Sequence, residues 1–248
     1  RERDMDILGK RALVTGASGG IGRACALMLA RHGARTIVLA DIDEKGLVAV
    51  AAEIASLGAE ALTETVDLSD SASAIAMYAR AEERSGGLDI IHNNAGIMGG
   101  PPDFPDDNID RMIATMQINL IAMMIGTKMG VGFMRARSVP GVIINTASTA
   151  ALGPLPKDPA YAASKRGILA YSESCKPLHA EFGIRVIPLC PAVTDTPIVA
   201  KDADWLQPIL ESIRLLQPED IAEEVRRIIE DDSLSGEAIV VHNEPLAQ

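Results

Sequence analysis

Ala12-Leu13-Val14-Thr15-Gly16-Ala17-Ser18-Gly19-Gly20-Ile21-Gly22-Arg23 is the stretch that decides the fold. A short apolar run turns through four glycines and leads directly into the helical pattern that begins Arg23-Ala24-Cys25. The pattern reads as buried strand, tight turn and helix. Backbone N–H groups of such a turn can approach an anion closely, and the positive end of the following helix attracts it. Gly16 permits the turn, Gly20 the close approach and Gly22 the contact of helix with sheet, while Ser18 and Ile21 complete the loop. Because strand, loop and helix stand in register, the pyrophosphate of a dinucleotide is the expected ligand, ahead of an ordinary glycine turn.

The same alternation continues outward. Apolar runs at 36–40, 61–66, 90–91, 142–144, 186–189 and 238–241 read as further strands. Amphipathic stretches at 21–31, 44–57, 71–85, 108–137, 161–182 and 218–231 read as helices. Alternating strands and helices, with strands apolar on both faces, predict a doubly wound, Rossmann-type α/β fold: about seven parallel strands with helices on both sides. Residues 1–248 show no repeat and no linker, so one domain is expected, with a substrate loop at 195–217. Ligands of such sheets bind outside the carboxyl ends of the strands. Gly16, Asp41, Asp67, Asn94-Ala95-Gly96, Ser148 and Pro191 all punctuate those ends.

Composition narrows the function. The 248 residues carry 23 Lys+Arg against 34 Asp+Glu, a formal net charge of −11, and only 3% are aromatic. Binding to nucleic acid or to anionic lipid wants basic charge, and stacking on single strands wants aromatics as well, so both roles are excluded as expectations. The longest uncharged run, 138–156, contains Pro140, Gly141, Asn145, Gly153 and Pro154, and no membrane span is read. Residues 1–4 show no apolar segment of a signal peptide. Cys25, Cys175 and Cys190 are far apart and suit inert thiols in a reducing, cytoplasmic setting. His32, His92, His179 and His242 lack metal-ligand spacing, so no metal is expected.

Two features point to chemistry. Asp41 ends the second strand, 19 residues beyond Gly22. A carboxylate there can accept both ribose hydroxyls of an adenosine and repels a 2′-phosphate; Ser18, Gly19 and Ile42 offer no cation, so NAD is expected over NADP. Tyr161 and Lys165 are four residues apart and share a helix face. The ammonium is expected to pull the phenol towards working pH, so that Tyr161 exchanges a hydroxyl proton while hydride moves. Ser148, at a strand end, can hydrogen-bond the substrate oxygen.

With these residues in place, the sequence resembles the short-chain dehydrogenases/reductases, in their compact single-domain branch, over residues 8–241. TGASGGIG at 15–22 matches the family's TGxxxGxG, and Asn93-Asn94-Ala95-Gly96 matches NNAG along the cofactor. Asp67, in Val66-Asp67-Leu68, matches the carboxylate that holds the adenine. Asn119, Ser148, Tyr161 and Lys165 match the catalytic tetrad, with 13 positions from Ser to Tyr. The resemblance implies that Asn119 holds a water linking Lys165 to solvent, and that Lys165 also binds the nicotinamide ribose. It further implies a homodimer or homotetramer formed through helices 108–137 and 161–182.

Two departures stand out. The family's PGxVxT is Pro191-Ala192-Val193-Thr194-Asp195-Thr196 here, so Thr194 would offer its backbone to the carboxamide, and Pro191 and Thr196 keep their places. The chain's last segment, Val240-Val241-His242-Asn243-Glu244-Pro245, lacks the usual Asp-Gly-Gly. Met98, Phe104, Leu152, Leu155, Trp205 and Leu206 are the expected wall of an apolar pocket, with no cluster of Lys or Arg beyond Lys157 and Lys201. A small neutral secondary alcohol or ketone is the expected substrate. A nucleotide-sugar epimerase or dehydratase, or an NAD-sensing protein without turnover, are the alternatives; the intact tetrad and the lack of an added substrate domain weigh against them.

Overall fold

The computed structural model describes residues 5–246, so the charged run at 1–4 lies outside the described residues. Seven strands form one parallel sheet: β1 (Arg11–Thr15), β2 (Thr36–Asp41), β3 (Glu60–Thr65), β4 (Ile90–Asn93), β5 (Gly141–Thr146), β6 (Ile184–Pro191) and β8 (Ile239–Val241). Their order across the sheet is β3-β2-β1-β4-β5-β6-β8. The fold is the Rossmann-like α/β sheet that the alternation predicts. Side chains one apart on a strand point to opposite faces. Val14, Leu39, Ile144 and Leu189 accordingly pack on one side, against Leu29 of α1 (Gly20–Arg31), Ile54 of α2 (Glu44–Ser56) and Ile228 of α9 (Pro218–Glu230). Leu13, Val38, Ile91 and Ile143 pack on the other, against Met77 of α3 (Ser71–Ser85) and Met134 of α5 (Ala122–Arg137). Strand order reverses between β1 and β4, which opens a crevice at their carboxyl ends.

Four local features depart from the periodicity reading. The stretch 108–137 is not one α-helix: α4 (Ile109–Met116) and α5 are joined by a π turn, Gln117–Ile121. This continuous rod, Ile109–Arg137, is also long and apolar enough by length and composition to cross a membrane, and it is not an uncharged run because Lys128 interrupts it. Here its inner face lies on the sheet, where buried Thr127 donates to Asn145 (3.2 Å). The stretch 161–182 divides into α6 (Pro159–Ser174) and α7 (Pro177–Phe182), because Pro177 has no N–H to continue the ladder. The loop at 195–217 holds a helical turn, α8 (Gln207–Leu210), and a strand, β7 (Ile213–Arg214). That strand pairs antiparallel with β9 (Glu244–Pro245).

Candidate active site

The crevice is built from the strand ends. Thr15 Oγ1 accepts the N–H groups of Asn94 (2.9 Å) and Ala95 (3.1 Å), and Thr15 O accepts Asn94 Nδ2 (3.2 Å). These bonds set the glycine loop against the β4 end so closely that a Cβ on Gly16 (φ +65°) would stand 3.0 Å from Ala95 Cα. A Cβ on Gly22 would run into the carbonyl of Gly16. Gly19 precedes α1 without any side-chain cap, which leaves the helix's first N–H groups free for an anion. At the β2 end, Asp41 Oδ2 accepts Ser18 N (3.0 Å) and its Oδ1 accepts Asp43 N (3.1 Å), so the carboxylate is held at the crevice edge.

A cavity of about 550 Å³ runs from Asp41 past Gly16, Ser18, Gly20, Ile21 and Asn94-Ala95-Gly96 to Ser148, Tyr161 and Lys165. Pro191, Thr194 and Thr196 line it from the β6 end. Gly22 is buried beneath the loop, and Ile42, Asp67 and Leu68 stand outside the lining. Asp67 Oδ1 instead accepts Ser69 N (2.8 Å) in the turn that leads to α3. Thr194 Oγ1 folds back to donate to Ala192 O (3.0 Å). A glycine-bordered trough of this length, with an uncapped helix end in the middle and a carboxylate at one end, fits an NAD-like dinucleotide.

Tyr161 and Lys165 sit in the first turns of α6, which Asp158 caps by accepting Tyr161 N at Oδ1 (2.9 Å). Lys165 Nζ donates to Thr146 O (2.8 Å) and lies 5.6 Å from the centroid of the Tyr161 ring. Ser148 Oγ accepts Ala150 N (3.1 Å), and Ser148 and Tyr161 line the same end of the cavity. Burial pushes the phenol up to about 12; the nearby Ser148 hydroxyl opposes the rise and the Asp158 charge adds to it. Burial also brings Lys165 down to about 8. In the free protein, then, the phenol is not pulled down by its lysine as the spacing suggests, because loss of solvent disfavours both charged forms.

Asn119 is fully buried in the π turn. Its Oδ1 accepts Ile97 N (2.8 Å), and its Nδ2 donates to Ile97 O (2.9 Å) and Ser164 Oγ (3.1 Å). The side chain therefore ties the loop after β4 to α6, where the resemblance implies a water. Beneath Lys165, His92 Nε2 pairs with Thr146 Oγ1 (2.8 Å), and burial lowers the imidazole to about 3, so it is neutral. Cys190 lies beside Lys165 and the Ser148 N–H, yet burial still raises its thiol to about 11, consistent with an inert group.

A second cavity of about 910 Å³ adjoins the first through Gly96, Met98, Pro197, Ile198 and Trp205. Met98 and Trp205 line both cavities and Leu155 and Leu206 the first, whereas Phe104 and Leu152 line neither and are about half exposed. The expected wall is corrected at these two residues because both sit on outward-facing turns. Lys157 pairs with Asp103 (3.9 Å) and Lys201 with Asp195. Arg111, which no motif singles out, donates to Met98 O (3.0 Å) and Gly99 O (3.0 Å) at the mouth. Asp158 is a further site residue outside the motifs, although Asp before Pro at the head of a helical run is an N-cap signature. Among the described residues no group of three or more His, Cys, Asp or Glu could hold a metal ion.

Residues 10–207 match the family model of the short chain dehydrogenases. The chain belongs to that family. As a short-chain dehydrogenase it is 32% identical to 15-hydroxyprostaglandin dehydrogenase [NAD(+)] of Mus musculus, across 94% of this chain and 89% of that protein. It is 34% identical to 3beta-hydroxysteroid dehydrogenase 2 of Eggerthella lenta, across 77% and 74% respectively. Among solved structures, a short-chain type dehydrogenase/reductase from Mycobacterium marinum superposes with a TM-score of 0.86 at 27% identity, covering 95% of each chain. Short-chain dehydrogenases of these kinds interconvert secondary alcohols and ketones, the coarse activity that the family carries.

Proposed function

We propose that this chain is an NAD-dependent oxidoreductase that interconverts a neutral, moderately hydrophobic secondary alcohol and its ketone. The observation that carries the reading is the convergence of Ser148, Tyr161 and Lys165 at one end of a cavity whose other end is the fixed carboxylate of Asp41. Asp41 would accept the adenosine ribose hydroxyls, the glycine loop and α1 the pyrophosphate, and Lys165 the second ribose. When bound, the dinucleotide supplies a hydride acceptor or donor.

The chain's own groups handle the proton. Tyr161 takes the hydroxyl proton during oxidation and returns it during reduction. Ser148, which lines the cavity beside that phenol, orients the substrate oxygen and stabilises the charge that develops on it. Lys165, held in position through Thr146 O, would favour the phenolate through its charge, an effect that burial outweighs before substrate and dinucleotide bind. Asn119 keeps Ile97 and α6 in fixed relation, so that the substrate loop meets Tyr161 in one geometry.

The mouth argues for an uncharged substrate. Lys157 and Lys201 are paired and Arg111 is engaged with backbone carbonyls, while Asp202 and Asp204 face the cavity. We also propose a homodimer or homotetramer, because Ile109, Met112 and Ile113 leave apolar surface exposed on α4. A panel of neutral secondary alcohols and ketones, followed by NADH absorbance, tests the reading: turnover is expected with NAD on several members. Activity confined to strongly anionic substrates, or to NADP, would overturn it.

A further inference from the structure

The segment that lacks the expected Asp-Gly-Gly does something specific in this chain. Asn243 Oδ1 accepts Val193 N (3.0 Å), while its Nδ2 donates both to Val193 O (2.8 Å) and to Arg214 O (3.0 Å). The amide orientation is unambiguous, since its oxygen meets an N–H and its nitrogen meets two carbonyls. Three segments distant in sequence are thereby joined. Around this amide the backbone adds further ties: Ala192 N to Val241 O (2.9 Å), Leu216 N to Val193 O (3.1 Å) and Leu246 N to Ser212 O (3.0 Å). The β7–β9 pairing completes the node.

Both ends of the substrate loop meet there. Val193, Thr194 and Thr196 line the cofactor cavity, and Trp205, Leu206 and Ile209 line it from the loop. We propose that Asn243 is a positioning residue of this enzyme, fixing the base of the 197–212 lid so that its apolar side chains close over the reacting end of the cavity. A glycine at this position could not form any of the three side-chain bonds. The proposal rests on the reading of this cavity as the alcohol site, and its consequence falls on substrate binding more than on cofactor binding. None of the three side-chain hydrogen bonds of Asn243 reaches the glycine loop or Asp41.

Trp205 is the only tryptophan in the chain, so its fluorescence reports on the lid directly. The test compares N243G with the parent protein by acrylamide quenching of Trp205, by hydrogen exchange, and by kinetics on 1-phenylethanol. In N243G, quenching is expected to rise about threefold and exchange of the 197–216 amides about tenfold, with the 15–22 amides unchanged. The KM for 1-phenylethanol should rise about tenfold, with the NADH Kd within about twofold of the parent. Should N243G lower the Tm by more than about 5 °C, N243S replaces it, keeping one hydroxyl able to serve one of the three bonds. Quenching and exchange identical to the parent overturn the proposal, as does a loosened lid with unchanged KM in an active enzyme. A parent that does not oxidise the alcohol would count against the functional reading alone, because the optical and exchange readouts need no turnover.

Discussion

Asp158 lies against Tyr161 as both cap and charge. One carboxylate oxygen accepts the Tyr161 N–H at 2.9 Å, the other accepts Gly99 N at 2.7 Å, and the negative charge raises the phenol. A fixed negative charge disfavours phenolate, so D158N should lower the Tyr161 pKa. The rising limb of alcohol oxidation should then move to lower pH, by as much as about one unit, which a kcat/KM profile would show. Asn still caps helices well, whereas D158A should also lose about 1 kcal/mol of stability in urea denaturation.

Tyr161→Phe removes the proton donor and acceptor while keeping the ring. Turnover should fall by about 10²–10⁴-fold. NADH affinity, measured by fluorescence titration, should stay within about threefold, because the glycine loop and Asp41 are untouched. Retained turnover would refute the role assigned to the phenol.

In the wild type, oxidation should be favoured as pH rises. Below the Lys165 value of about 8 both groups of the pair hold their protons, and a neutral phenol is a poor base. The kcat/KM for oxidation should climb about tenfold per unit from pH 6 and bend near the first deprotonation of the pair, with reduction showing the opposite slope. A flat profile where chemistry limits the rate would contradict this.

Asp41→Ala combined with Ile42→Arg should shift preference from NAD towards NADP. The change removes a carboxylate that repels a 2′-phosphate and adds a guanidinium that can bind one. The ratio of kcat/KM values for the two dinucleotides should change by about 100-fold or more, because a charge-assisted hydrogen bond takes the place of a repulsion. An unchanged ratio would place the adenosine ribose elsewhere.

Gly126→Ala should destabilise the fold by about 1–3 kcal/mol. A Cβ there would meet the Tyr78 hydroxyl and stand 2.5 Å from Asn93 Oδ1, pushing apart a buried hydrogen bond of 2.6 Å. Urea denaturation measures the loss.

What could be read from the residues was what repeats locally. Runs such as Val142-Ile143-Ile144 are apolar on both faces, and that alone implies a covered parallel strand. The glycine loop and the Tyr161–Lys165 spacing carry their geometry within a few residues, so their convergence followed from the fold class. The π turn did not show, because i→i+5 bonding changes register without demanding a particular residue. The raised Tyr161 phenol depends on how deeply neighbouring segments bury it, which spacing does not report. The Asn243 node is set by hydrogen bonds across 50 and 29 residues, where no periodicity exists to read.

The π turn also bears on insertions and deletions. Each residue of an α-helix advances the side chains by about 100°, so one extra residue turns the two halves of the Ile109–Arg137 rod against each other by about that angle. The turn points Asn119 at Ile97, while Gly126 stays against Tyr78 of α3 and Gly130 against Ile91 on the sheet. Deleting one residue from Gln117–Ile121 would restore a regular ladder and force one half of the rod to face the wrong way. Chain length there should thus tolerate no change, whereas the exposed turns at 100–108 can lengthen or shorten without altering any helix register.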